Sequence, residues 1–281
     1  MKRSLGWSVS PLAAVFVVAV FLATACSAGQ GVASATPASA SLAAGPSTSA
    51  PATASGPSAS PSPTSAGPMA LHDGALAAGV YTFQPFAGRG AMGLCAGQPA
   101  CKESPADDSI RITYTLPEGW TGLGYNVVPS VERYSPPGGA SLIFSRGGWL
   151  YSRLCGELST GPDIPTGTTV DEFVTALVDH PDLDITSPVA ATLGGHVGKY
   201  LELRAPANTT TDELGPKPGA CNYYFVWEPG IYAQGPNALW RIWILDVNGI
   251  RVVVRADSFP GTSPQIQAQL AAIVDSIQIE P

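Results

Sequence analysis

The sequence predicts an α+β fold, an antiparallel sheet flanked by two main helices and preceded by a disordered linker, and three observations carry that expectation. Val170, Phe173, Val174, Leu177 and Val178 recur at helical spacing behind a Thr169-to-Glu172 capping box, in which both side chains serve free backbone N–H groups. Asn248-Gly249 is a type I′ turn signal between the apolar runs Trp240 to Val247 and Ile250 to Asp257. Ser109 to Leu116 alternates polar and apolar residues at period two, and Pro117-Glu118-Gly119-Trp120 closes that strand with turn chemistry.

The chain before Met69 cannot join such a domain. Lys2 and Arg3 precede an apolar run from Leu12 to Leu22 and then Ala23-Thr24-Ala25-Cys26, the order of a secretory signal peptide, so residues 1–25 are expected to be removed. Small residues followed by Cys also match a bacterial lipobox, with Ala23 standing where Leu is usual. Diacylated Cys26 would then anchor the protein at the extracytoplasmic face of the cell membrane; plain secretion after Ala25 is the alternative. Ser27 to Pro68 is almost entirely Ala, Ser, Pro, Thr and Gly, uncharged, with seven prolines. It has too little apolar surface to offset the entropy of ordering, so residues 26–68 read as a lipidated Cys and a disordered spacer, and residues 69–281 as a single domain.

Charge and cysteine usage narrow the function. Removing Lys2 and Arg3 from the 14 basic residues leaves 12 against 21 acidic ones, a charge of −9, and the basic residues are scattered, which argues against nucleic acid as a partner. Apart from Cys26 the cysteines are Cys95, Cys101, Cys155 and Cys221, an even number in an exported chain, which reads as two disulfides with three possible connectivities. The short Gly- and Pro-containing spacer favours Cys95 with Cys101, leaving Cys155 with Cys221 to staple distant segments. No C-x-x-C pair supports zinc.

In chain order, Gly79 to Gln84 is the first strand candidate, followed by Ser109 to Leu116 and Ala140 to Ser145. The first helix follows Thr169 and stops before Pro181. Leu183 to Leu193 and His196 to Arg204 flank Gly194-Gly195 as a hairpin, and Tyr223 to Trp227 is an aromatic strand. In the Asn248-Gly249 hairpin, Trp243, Leu245 and Val247 face Val254, Val252 and Ile250 as an apolar core surface. The other surface pairs Trp240 with Asp257 and Ile242 with Arg255 and is mixed. Ser263-Pro264 starts the second helix, and Ser276 to Glu280 ends the chain as a strand.

Thr115 to Trp120, Leu193 to Leu203 and Ile273 to Ile279, together with the last hairpin, resemble uncharacterised actinobacterial lipoproteins and, more remotely, PsbP-like domains. That resemblance covers about Ser109 to Pro281 and implies an antiparallel sheet with flanking helices. It implies no active site, because the family carries no agreed catalytic residues.

The chain contains no G-x-S-x-G, S-x-x-K, H-E-x-x-H or P-loop, and neither a cofactor nor a metal is expected. The nearest approach to a catalytic or metal-ligating cluster is His180-Pro181-Asp182-Leu183-Asp184, for which the end of a helix is the simpler account. Trp120, Trp149, Tyr151, Tyr223, Tyr224, Trp227, Trp240 and Trp243 could stack on sugars or line an apolar pocket. Trp240 with Arg255, on the mixed hairpin surface, is the better exposed ligand-binding candidate. The expectation is a surface-anchored, non-catalytic lipoprotein that binds a small ligand or an envelope protein or glycan. The alternative is an extracytoplasmic hydrolase built on His180 with Asp182 or Asp184.

Overall fold

A computed structural model describes residues 67–87, 108–124, 126–131, 134, 136–155, 162–210, 219–221, 224–227, 231–233 and 235–281. In chain order the strands are β1 (Met69–Ala70), β2 (Gly74–Leu76), β3 (Gly79–Phe83), β4 (Arg111–Leu116), β5 (Trp120–Leu123), β6 (Asn126–Pro129) and β7 (Ala140–Ser145). Helix α1 (Val170–Val178) precedes β8 (Asp184–Ile185), β9 (Val189–Leu193), β10 (His196–Arg204), β11 (Tyr224–Trp227), β12 (Ile231–Ala233), β13 (Leu239–Val247) and β14 (Ile250–Ser258). Helix α2 (Pro264–Asp275) and β15 (Gln278–Glu280) close the chain.

This corrects the expected sheet flanked by two main helices. Among the described residues, fifteen strands form a nine-stranded, a four-stranded and a two-stranded sheet, against helices of only 9 and 12 residues. The large sheet runs β2-β5-β6-β7-β14-β13-β10-β8, with β9 also on β10. The smaller one, β1-β3-β4-β15, is mixed, since β1 pairs with β3 in parallel. Two short helices cannot cover a nine-stranded sheet, so other strands and loops supply the remaining cover. The strands not anticipated, β1, β2, β5, β6 and β12, have two to four residues each, too short for an alternating pattern to register. Trp120, expected in a turn, instead opens β5 opposite Pro129.

Local signals were reliable where they were strong. Helix α1 has the Thr169–Glu172 capping box, and α2 has Ser263 as N-cap with Pro in its first turn. Asn248 and Gly249 have φ of 53° and 83°, and Gly194 and Gly195 have φ of 60° and 88°, the positive values that a type I′ turn demands. The Asn248-Gly249 turn sets the register Trp243↔Val254, Leu245↔Val252 and Val247↔Ile250. The expected run Leu183 to Leu193 divides into β8 and β9, both on the same edge of β10.

Strand alternation sends neighbouring residues of the central strands into two different cores. Leu142, Phe144, Leu245, Val247, Val252 and Val254 meet α2 and the four-stranded sheet in one of them. Ile143, Trp240, Ile242, Ile244, Val253 and Leu201 meet α1 and β11 in the other. There Trp227 packs edge-on against both Phe173 and Trp240, at centroid distances of 5.6 Å, geometry worth about 0.5–1.5 kcal/mol per pair beyond area burial.

The second core is closed from outside by an irregular layer. Leu150 bridges to both Ile164 and Trp227, and the Phe225 N–H donates to the Leu154 carbonyl at 2.8 Å. Cys155 and Cys221 are disulfide-bonded across this layer. Cys26, Cys95 and Cys101 lie outside the described residues.

Arg251, which lies opposite Asp246 in the β13–β14 register, is a buried hub. Its Nε donates to the Arg146 carbonyl at 2.7 Å, Nη1 to the Gly167 and Thr169 carbonyls at 3.2 and 2.9 Å, and Nη2 to the Gly147 carbonyl at 3.0 Å. The guanidinium lies 4.5 Å from the Phe173 ring centroid, tying the start of α1 to β14. Burial pulls its pKa down to about 10, with Glu172 opposing. A lysine cannot reproduce this fork, so Arg251→Lys should lower unfolding stability by about 2–3 kcal/mol in urea titrations, as buried carbonyls lose their donors.

Candidate functional site

Register places the expected ligand-binding pair. Asp257 of β14 lies between Ser141 of β7 and Trp240 of β13, and Arg255 lies between Ile143 and Ile242, all on the face that enters the second core. The Arg255 guanidinium sits 4.0 Å from the Trp240 ring centroid, and its Nη2 is 2.7 Å from Asp257 Oδ2. Ser141 Oγ donates to the same carboxylate oxygen at 3.0 Å, and the Tyr134 hydroxyl faces both Asp257 and Trp240. Complete burial pushes the Asp257 carboxyl up to about 6, while Arg255, Ser141 and Tyr134 pull it back.

The exposure expected of this pair is corrected. Trp240 is 0% and Arg255 3% exposed, because the layer stapled by Cys155–Cys221 covers this face of the hairpin. Arg255 Nε and Nη1 have no hydrogen-bond partner among the described residues. The arrangement is a sealed ion pair inside a core, which a ligand reaches only if the covering layer parts.

His180 directly follows α1 and its C-cap Asp179, and is buried. Its Nδ1 accepts from the Asp182 backbone N–H at 3.2 Å, so the proton resides on Nε2, which donates to the Tyr151 carbonyl at 2.9 Å. Both ring nitrogens are therefore committed to the backbone, and neither is left to take a proton from a nucleophile. Asp182 and Asp184 are exposed. Among the described residues no group of three or more His, Cys, Asp or Glu converges as metal ligands. His196 begins β10 with Nε2 bonded to the Ile279 carbonyl at 3.1 Å, a structural contact.

A second aromatic group emerges only from the register between β10 and β13. Tyr200 lies opposite Trp243, with ring centroids 5.0 Å apart, and opposite Val189 on its other side. Both rings are half-buried, whereas Trp120, Trp227 and Trp240 are fully enclosed. Two residues along, on the same face, Glu202 pairs with Arg241. The Tyr200 hydroxyl donates to Glu202 Oε1 at 2.6 Å, Arg241 Nε is 3.9 Å from that oxygen, and Arg241 Nη1 donates to Ser258 Oγ at 3.3 Å. Burial and the Glu202 carboxylate raise the Tyr200 pKa, so the hydroxyl keeps its proton. Sequence reading put Trp243 in the core because it shares a face with Leu245 and Val247. The signal that it lies toward the sheet's margin is the Val189 edge strand beyond Tyr200, which hairpin patterning alone does not supply.

No protein-family model matches the chain, and no curated protein matches it. Solved structures show remote structural similarity. LpqN, a protein involved in cell envelope biogenesis of Mycobacterium tuberculosis, aligns at 13% identity and a TM-score of 0.33, over 66% of this chain and 88% of its own. Cyanobacterial PsbP from Synechocystis aligns at 14% identity and a TM-score of 0.31, over 76% of this chain and 99% of its own. A protein of Bacteroides thetaiotaomicron aligns at 11% identity and a TM-score of 0.26, over 60% of this chain and only 45% of its own.

Proposed function

We propose that this chain is an extracytoplasmic binding module, carried on a lipidated Cys26 and a Pro- and Ser-rich spacer at the outer face of a bacterial membrane. The observation that carries this reading is the Cys155–Cys221 disulfide, since such bonds persist in oxidising compartments and are rare in the cytosol. It agrees with the Lys2-Arg3, apolar-run and Ala23-Thr24-Ala25-Cys26 order at the start of the chain. No helix among the described residues is long and apolar enough to cross a membrane. The tether in this reading is the acyl group on Cys26. Binding is preferred to hydrolysis because His180, the only candidate base of the alternative, has both ring nitrogens engaged by the backbone.

The test compares the full gene with a Cys26→Ala variant in an actinobacterial host. The unaltered protein should partition with membranes and detergent, and the variant should be released. Equal release of both into the medium would eliminate the anchor and leave ordinary secretion.

A further inference from the structure

We propose that the Tyr200–Trp243 face, where the nine-stranded sheet emerges from its cover, is a carbohydrate-binding patch. This deepens the binding-module reading and rests on it, but not on the anchor. The first support is the pair of half-buried rings beside each other and beside Val189, which is 54% exposed. Aromatic faces of this kind match the C–H faces of pyranose rings and bury area at little conformational cost.

The second support is polar and independent of the rings. Tyr200, Glu202, Arg241 and Ser258 form a line of donors and acceptors beside them, and the Glu202 and Arg241 side chains remain 34% and 33% exposed. A carboxylate offers about four acceptor sites and a guanidinium five N–H donors. Tyr200 takes one acceptor site and Ser258 one donor, which leaves both groups with capacity toward solvent. An acceptor next to a donor is the complement of two neighbouring hydroxyls, one donating to Glu202 and the other accepting from Arg241. The two charges cancel, so the face favours a neutral, hydroxyl-rich ligand over an anion. Since the Tyr200 hydroxyl already holds Glu202 in place, ligand binding would not have to order that side chain.

The experiment titrates the full-length chain, in lauryldimethylamine oxide to avoid a sugar headgroup, with maltose, cellobiose and N,N′-diacetylchitobiose, followed by tryptophan fluorescence and calorimetry. At least one should bind saturably. Trp243→Ala should abolish that binding, and Glu202→Gln should weaken it about tenfold, or ~1.4 kcal/mol. Because Trp243 also packs on the first core, Glu202→Gln is the variant that separates ligand contact from folding, and its melting temperature should be unchanged. The proposal is overturned if none of the three sugars binds, or if binding survives both substitutions. It is equally overturned if sedimentation shows a dimer that Trp243→Ala dissociates, which would make this face an interface between two copies. Failure of the anchor appears only in the fractionation experiment, so the two readings fail separately.

Discussion

Replacing Arg255 by methionine should cost about 2–2.5 kcal/mol at pH 7 and about 1 kcal/mol at pH 5, because the substitution leaves Asp257 buried without its counter-charge, and one pH unit above its folded value adds about 1.4 kcal/mol. Asp257 is 0% exposed, and its carboxyl is held at about 6, above the value of about 3.9 in an unfolded chain. The folded state therefore binds more protons than the unfolded state between those values. The Asp257 contribution is full below about 4 and is lost as pH rises through about 6. Arg255 limits that loss. Without it the folded carboxyl titrates higher still, and the variant keeps losing stability through neutrality while the parent has levelled off. At pH 5 both carboxyls are largely protonated, and what remains is the stacking of Arg255 over Trp240, worth about 1 kcal/mol. Urea unfolding at the two pH values measures the difference, and an equal cost at both would show that the two groups are not coupled.

Removing the Cys155–Cys221 bond should lower stability by about 4 kcal/mol, the chain-entropy value for a separation of 66 residues. Paired Cys155→Ala and Cys221→Ala substitutions, followed by thermal unfolding, should show a fall on the order of 10 °C for a domain of this size. The effect should reach beyond the two sulfurs. The layer they staple carries Trp227 onto Trp240, under which Arg255 and Asp257 are enclosed, so loosening it admits water to the ion pair. Combined with Arg255→Met, the substitutions should therefore be non-additive by 0.5 kcal/mol or more, whereas purely additive costs would mean that the layer does not seal the pair.

How much was legible from the sequence divides along the range of the forces involved. Caps and turns depend on residues a few positions apart: the Thr169–Glu172 box, the Ser263-Pro264 start and the glycines of the two hairpins act on their own backbone, so both helices and the β13–β14 register were readable without a fold. The export signal, the spacer and the partner of Cys155 were inferred from composition and spacing, and of these the described residues bear on the disulfide alone. What covers a strand's face is set by chain that returns from far away. Trp240 and Arg255 stand on a mixed surface that reads as exposed until residues 150–155 and 224–227 are laid over it. Arg251 stands opposite Asp246 as the hairpin register requires, but its burial is legible only once Gly147 and Gly167 present their carbonyls to it. Trp243 reads as core until β10 sets Tyr200 beside it near the margin of the sheet. The number of strands escaped for a related reason: a two- to four-residue strand is stabilised by the partner it pairs with, not by any pattern of its own, so only the assembled sheets could reveal a β-rich fold in which strands and loops do most of the enclosing.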